Sequence, residues 1–268
     1  MPDARSPAPR EKIFNIPNVI LCLIALMAAA HWYRTTLGDE AELAFFSAYA
    51  FVPGRLAAWF DPGLMQALLA KVGQGDGEAL RQAQAARYFL ADGPAPWTLL
   101  THAFLHGDWT HFGLNALWLL AFGAAVARRF GTLRFLAFCA IAAMAGAGAH
   151  YLTHMHDFAP MIGASGAVSG AMAGAARFAF QPGGPLGEPV RGIDRQSDAA
   201  YRQPALSLAG VLHDRRTLTF LGVWFTVNFL FGIASEPLGV TDSPIAWEAH
   251  VGGFLAGFLL FDLFERRM

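Results

Sequence analysis

Charge is what this sequence has least of. Only 15% of its 268 residues are Asp, Glu, Lys or Arg, against 55% hydrophobic. Soluble domains carry roughly 25% charged residues, so a water-soluble globular body is excluded. The formal net charge is −1, which gives no electrostatic basis for a nucleic-acid partner. Cysteine is scarce as well. Cys22 and Cys139 both lie inside apolar runs, where a thiol packs as a small hydrophobe, so no disulfide framework is expected. No His-Glu-x-x-His helix occurs, and no cofactor is expected.

What the chain does have is long apolar runs. A membrane-crossing helix needs about 20 apolar residues. Six runs approach that length, at 14–32, 112–127, 133–152, 163–180, 217–234 and 246–264. The fold class expected is therefore an all-α membrane protein with six transmembrane helices. The membrane body spans 14–264, between a basic lead-in at 1–13 and a tail at 265–268. Cationic residues set the orientation. With the N-terminus inside, fourteen of the nineteen Lys and Arg residues fall on inside segments. The other five (Arg34, Arg55, Lys71, Arg81 and Arg87) share one long outer loop. Both termini are thus expected in the cytoplasm. A cleaved signal peptide ending near Ala28-Ala29-Ala30 competes for the first run.

The outer loop covers 33–100. Its 41–60 stretch is apolar but broken by Pro53 and Gly54, which suits one or two short interfacial helices better than a seventh span. Leu64–Val72 and Glu78–Leu90 read as short surface helices. The inside loop at 181–214 carries Pro182, Gly183, Gly184 and Pro185 and reads as flexible and partly disordered. The loop at 235–245 suits a mobile cap.

Polar residues inside these runs are few, and costly unless they face protein or water. Ser165 stands at the head of the fourth run, after Gly163 and Ala164. Gly166, Gly170 and Gly174 follow at intervals of four, a small-residue stripe that admits a second helix at close range. His111 and Asn115 share a helix face at the start of the second run, either as interhelical hydrogen-bonding groups or as a donor pair aimed at an oxyanion. His250 begins the last run, with Gly253 and Gly257 as a second small-residue groove. Asn228 in the fifth run reads as a packing hydrogen bond, with a gating role as the alternative. His102 and His106 read as surface or interfacial residues. His150, His154 and His156 could form a zinc site, but solvated histidines are the favoured reading.

All three polar sets head runs at the same membrane face. A Ser165–His250 pair there is the activated-nucleophile arrangement, with His250 as base and then acid. Backbone N–H groups of Ser165 and Ala164, with His111 and Asn115, would hold the oxyanion. No carboxylate is placed to orient His250.

The three motifs resemble those of the rhomboid intramembrane serine proteases: His111-x-x-x-Asn115 in the second run, Gly163-Ala164-Ser165-Gly166 at the head of the fourth, and Ala249-His250-Val251-Gly252-Gly253 with Gly257 in the sixth. The resemblance covers about 97–264. It implies a six-helix rhomboid-like bundle with a water-filled cavity open to the outside. It also implies substrates that are transmembrane segments of other membrane proteins. Two positions and the long first outer loop depart from the pattern. Ser169 replaces an aromatic residue that stacks on the histidine, and Ala127 replaces a Glu after the second run. The setting expected is a bacterial inner membrane with the site facing the periplasm. A non-catalytic rhomboid-like binder is the alternative, and the intact Ser165 and His250 speak against it. A transporter fits poorly, because the polar groups lie at one face instead of the midplane.

Overall fold

Every regular element among the described residues is helical, and their one β pairing is a single bridge between Phe51 and Met161. The computed structural model describes residues 16–91, 93–195, 197–234 and 246–265, with the backbone alone for 231–234. The lead-in at 1–13, the cap at 235–245 and residues 266–268 lie outside the described residues.

The chain opens with α1 (Asn18–Thr35). Short helices follow: α2 (Asp39–Tyr49), α3 (Pro53–Phe60), α4 (Leu64–Gly73), α5 (Gly77–Phe89) and α6 (Thr98–Thr101), the last running into a 3-10 turn at His102–Phe104. Next, α7 (Trp109–Trp118), a π turn at Leu119–Gly123 and α8 (Ala124–Phe130) make one unbroken rod. Then come α9 (Thr132–Thr153), α10 (Ser165–Ala176), the single-turn helices α11 (Asp198–Tyr201) and α12 (Leu208–Val211), α13 (Arg215–Ala234) and α14 (Trp247–Phe264). Among the described residues four helices are long and apolar enough to cross a membrane: Asn18–Thr35, Trp109–Phe130, Thr132–Thr153 and Trp247–Phe264. α10 and α13 stand at the other two apolar runs.

Local chemistry explains the boundaries. Asp76 caps α5 by accepting from the backbone N–H groups of Glu78 (3.0 Å) and Ala79 (3.1 Å). Asp108 caps α7 by accepting from His111 N at 2.8 Å. Gly131, at φ 78°, reverses the chain between α8 and α9. α10 is shorter than its apolar run. It tightens into i to i+3 bonds at Arg177 and Phe178 and stops.

α9, α10 and α14 pack backbone against backbone. A Cβ on Gly146 would sit 2.6 Å from the carbonyl oxygen of Ala249, and a Cβ on Gly253 or Gly257 would overlap the carbonyl of Gly166 or Gly170. The two small-residue stripes thus face each other, as their spacing predicts. One end of this trio is filled by Phe130, Phe135, Phe138, Phe178 and Phe261, all buried.

The 181–214 stretch is more ordered than its composition suggests. Arg177 is buried and donates to Leu206 O (2.6 Å), Phe258 O (3.0 Å) and the Asp262 carboxylate (3.0 Å). Arg129 donates to Tyr201 O (2.9 Å) and Gln203 O (2.7 Å) and pairs with Glu265. Two buried guanidiniums therefore hook this segment to the helix ends.

At the opposite end, α3, α4 and α5 enclose a small core of their own with Phe158. The segment before α10 is held to these helices at several points. Phe51 and Met161 exchange backbone bonds of 3.1 and 2.7 Å, Gly54 N donates to Asp157 O at 2.7 Å, and Gly163 N donates to His102 O at 3.0 Å. Gln82 accepts from Phe158 N at 2.8 Å and donates to Asp157 Oδ1 at 2.9 Å. Residues 41–60 thus form α2 and α3 as expected, and they position the lead into Ser165.

Candidate active site

Ser165 is the first residue of α10, preceded by Ala164 at the cap position with φ −75° and ψ −2°. Its own N–H and those that follow lack intrahelical partners. The Ser165 side chain is half-buried, and Ala164 is buried. Gly163 makes the turn with φ 125°, a conformation open to glycine. The space a Cβ would take there is already occupied. It would fall 2.8 Å from His111 Nε2 and 3.7 Å from Ser165 Oγ. His111 and Ser165 therefore both border the same glycine.

His250 reaches this place through α14. A Cβ on Gly166 would lie 3.5 Å from Ala249 O, so the residue after Ser165 packs on the residue before His250. His250 and His111 lie within electrostatic range of each other. Asn115 is buried, and its Nδ2 donates to His111 O at 2.9 Å, which ties the side chain to its own helix.

The orientation of His250 comes from a residue whose site role sequence reasoning missed. His250 Nδ1 donates to Asn228 Oδ1 at 2.6 Å. The amide Nδ2 of Asn228 faces Trp247 O at 3.4 Å, which settles which end of the amide points to the ring. This bond puts the proton of a neutral imidazole on Nδ1 and leaves Nε2 bare. No aromatic ring stacks on His250 among the described residues, and Ser169 is buried. The hydrogen-bond partner of the His250 ring is therefore a neutral amide from α13. The only sequence signal was an Asn in an apolar run, and its partner lies on another helix.

Two expectations about histidines are corrected. His102 and His106 are buried instead of interfacial. His102 Nδ1 donates to Thr98 O at 2.9 Å. His106 packs edge-on against His111 at 5.1 Å, and its carbonyl accepts from His31 Nδ1 at 3.0 Å. Burial pushes the His102 imidazole down to about 4 and the His106 imidazole down to about 3, so both are neutral at pH 7. His150 is also buried, while His154 is half-buried and His156 is exposed.

A family model described as the Rhomboid domain matches residues 94–267. The chain belongs to the rhomboid family. That family is one of intramembrane serine proteases that act on transmembrane substrates. The matched region takes in α6 through α14 and leaves out α1 to α5. This rhomboid is an integral membrane protein. No curated protein matches the chain.

Proposed function

We propose that this rhomboid is a serine endopeptidase that cuts transmembrane segments of other membrane proteins through a Ser165–His250 dyad. His250 Nε2 takes the proton of Ser165 Oγ as that oxygen attacks the scissile carbonyl. The tetrahedral oxyanion is met by backbone N–H groups of Ser165 and Ala164 at the head of α10, with His111 and Asn115 beside them. His250 then protonates the leaving amine, and water hydrolyses the acyl-enzyme by the same route in reverse. Asn228 holds the imidazole in the tautomer that each step requires. Losing one oxyanion donor costs about 3–4 kcal/mol of barrier.

The observation that supports this reading is the close packing of α10 on α14, where a Cβ on Gly166, next to Ser165, would lie 3.5 Å from the carbonyl of Ala249, next to His250. His111 beside Gly163 adds a donor at the same point. In this reading α1, the α7–α8 rod, α9, α10, α13 and α14 are the six spans. Both termini are cytoplasmic, and the site opens to the periplasmic side of a bacterial inner membrane. Substrates are segments with small residues that unwind readily.

The test is cleavage of a single-span model substrate in detergent. Wild type is expected to cleave it and to label with a fluorophosphonate probe. Ser165→Ala and His250→Ala are expected to lose both properties while keeping the wild-type melting temperature. Cleavage that persists in either variant refutes the dyad.

A further inference from the structure

We propose that His150, His154 and Glu248 form a binding site for a zinc-class divalent cation, joining the outer end of α9 to the first turn of α14. One ligating atom from each of the three lies within 4.8 Å of the others. His150, in the last turn of α9, and His154, the residue that caps it, hold their rings 4.4 Å apart and so present two imidazoles side by side. The carboxylate comes from the facing helix. Two imidazoles and one carboxylate suit zinc and its neighbours, with a fourth position left for water, and they do not suit calcium or magnesium.

Independent observations point to a ligand. His150 is 8% exposed, and its Nδ1 is buried without a hydrogen-bond partner. That nitrogen faces Glu248 Oε2 at 3.8 Å, too long for a hydrogen bond. Two ligands of one tetrahedral zinc ion stand about 3.4 Å apart, so a small side-chain adjustment would seat a cation between them. His154 is prepared from behind. Thr153 Oγ1 donates to His150 O at 3.0 Å, which leaves its lone pair to accept from His154 Nδ1 at 2.8 Å. The proton is then on Nδ1, and Nε2 is bare for a metal, the usual outer-shell arrangement around a ligating histidine.

Nearby groups have other roles. Asp157 Oδ1 is occupied by Gln82 Nε2 and Ala159 N, both at 2.9 Å. His156 is exposed and outside the cluster, so Glu248 takes the place that the sequence alone would give to a third histidine. The proposal rests on α9 and α14 alone and does not require the proteolytic reading. Its consequence for that reading is direct, because Glu248 lies two residues before His250.

The test uses the full chain in detergent, stripped with a chelator and titrated calorimetrically with Zn²⁺. Wild type is expected to bind one Zn²⁺ per chain and to melt at higher temperature when loaded. His154→Ala and Glu248→Gln, both at half-buried positions, should each weaken binding by at least about tenfold, and Thr153→Val by about tenfold. His156→Ala should bind as wild type does. The proposal is overturned if wild type takes up no Zn²⁺, if the His154→Ala, Glu248→Gln double variant binds equally well, or if Mg²⁺ or Ca²⁺ stabilises the chain as much as Zn²⁺.

Discussion

Asn228→Ala removes the acceptor that holds His250 and touches little else. The bond from His250 Nδ1 is 2.6 Å, whereas the second contact of Asn228, to Trp247 O, is 3.4 Å. With a neutral imidazole such a bond is worth about 1 kcal/mol, and with a charged one about 1.5–3 kcal/mol. The ring gains its positive charge only as it takes the serine proton. The difference, up to about 2 kcal/mol, therefore acts on the transition state and corresponds to as much as about 30-fold in rate. The expected result is a kcat 10- to 30-fold lower (roughly 1.4–2 kcal/mol) with KM unchanged. The assay is steady-state cleavage of a fluorogenic transmembrane substrate in detergent, with melting temperature measured in parallel. Asn228→Asp keeps an acceptor at the same place and should recover most of the rate, whereas Asn228→Leu should not. A packing role predicts the opposite pattern, with Leu tolerated and stability the property that moves. If Asn228→Ala turns over within twofold of wild type, or if Asp and Leu are equally poor, the orienting role is wrong.

Two further expectations concern stability. Gly253→Ala would drive a methyl into the carbonyl of Gly166, where both sides are backbone, and should cost at least about 1–3 kcal/mol. Gly148→Ala, which meets nothing within 4 Å, should be neutral or stabilising by up to about 1 kcal/mol, and thermal unfolding in detergent compares the two. The buried histidines set an acid limit. His102 and His106 take protons near 6.5 when unfolded, but only near about 4 and about 3 when folded. Between those values the unfolded chain binds more protons. Stability is therefore intact above pH 6.5 and falls as pH drops, by up to about 2 kcal/mol for each histidine at pH 5. A melting temperature that stays level from pH 7.5 to 5 would contradict this burial, and His102→Gln should flatten the slope.

The parts of the fold that depend on local spacing were legible in the sequence. Apolar runs marked the long helices, and glycines at intervals of four marked the faces on which α10 and α14 meet. The breaks between those runs lie within a few residues of the helix ends. What depended on contact between distant segments was hidden. Arg129 and Arg177 look like ordinary inside cations, yet their guanidiniums order the 181–214 stretch through carbonyls at Tyr201, Gln203 and Leu206. His102 and His106 sit among residues that read as interfacial, and only the fold shows them covered. At the site, the residues that a motif names were visible. Asn228 and Glu248 were not, because the meaning of each lies in a side chain on another helix.

The brevity of α10 has a geometric consequence. Twelve residues of α-helix measure about 18 Å, whereas the hydrocarbon layer is about 30 Å deep. A strut of that length cannot touch both faces of a bilayer. In the proposed reading of α10 as a span, an Arg177 end level with one boundary leaves the serine at its other end some 12 Å below the opposite one. The distance above it must be spanned by the non-helical stretch from 154 to 164, whose backbone needs water or protein partners at that depth. Protein supplies several of those partners, since Met161 exchanges bonds with Phe51, Asp157 O accepts from Gly54 N, and Gly163 N donates to His102 O. In that reading the length of one helix obliges the outer helices to dip toward the foot of the segment that leads to the hydroxyl.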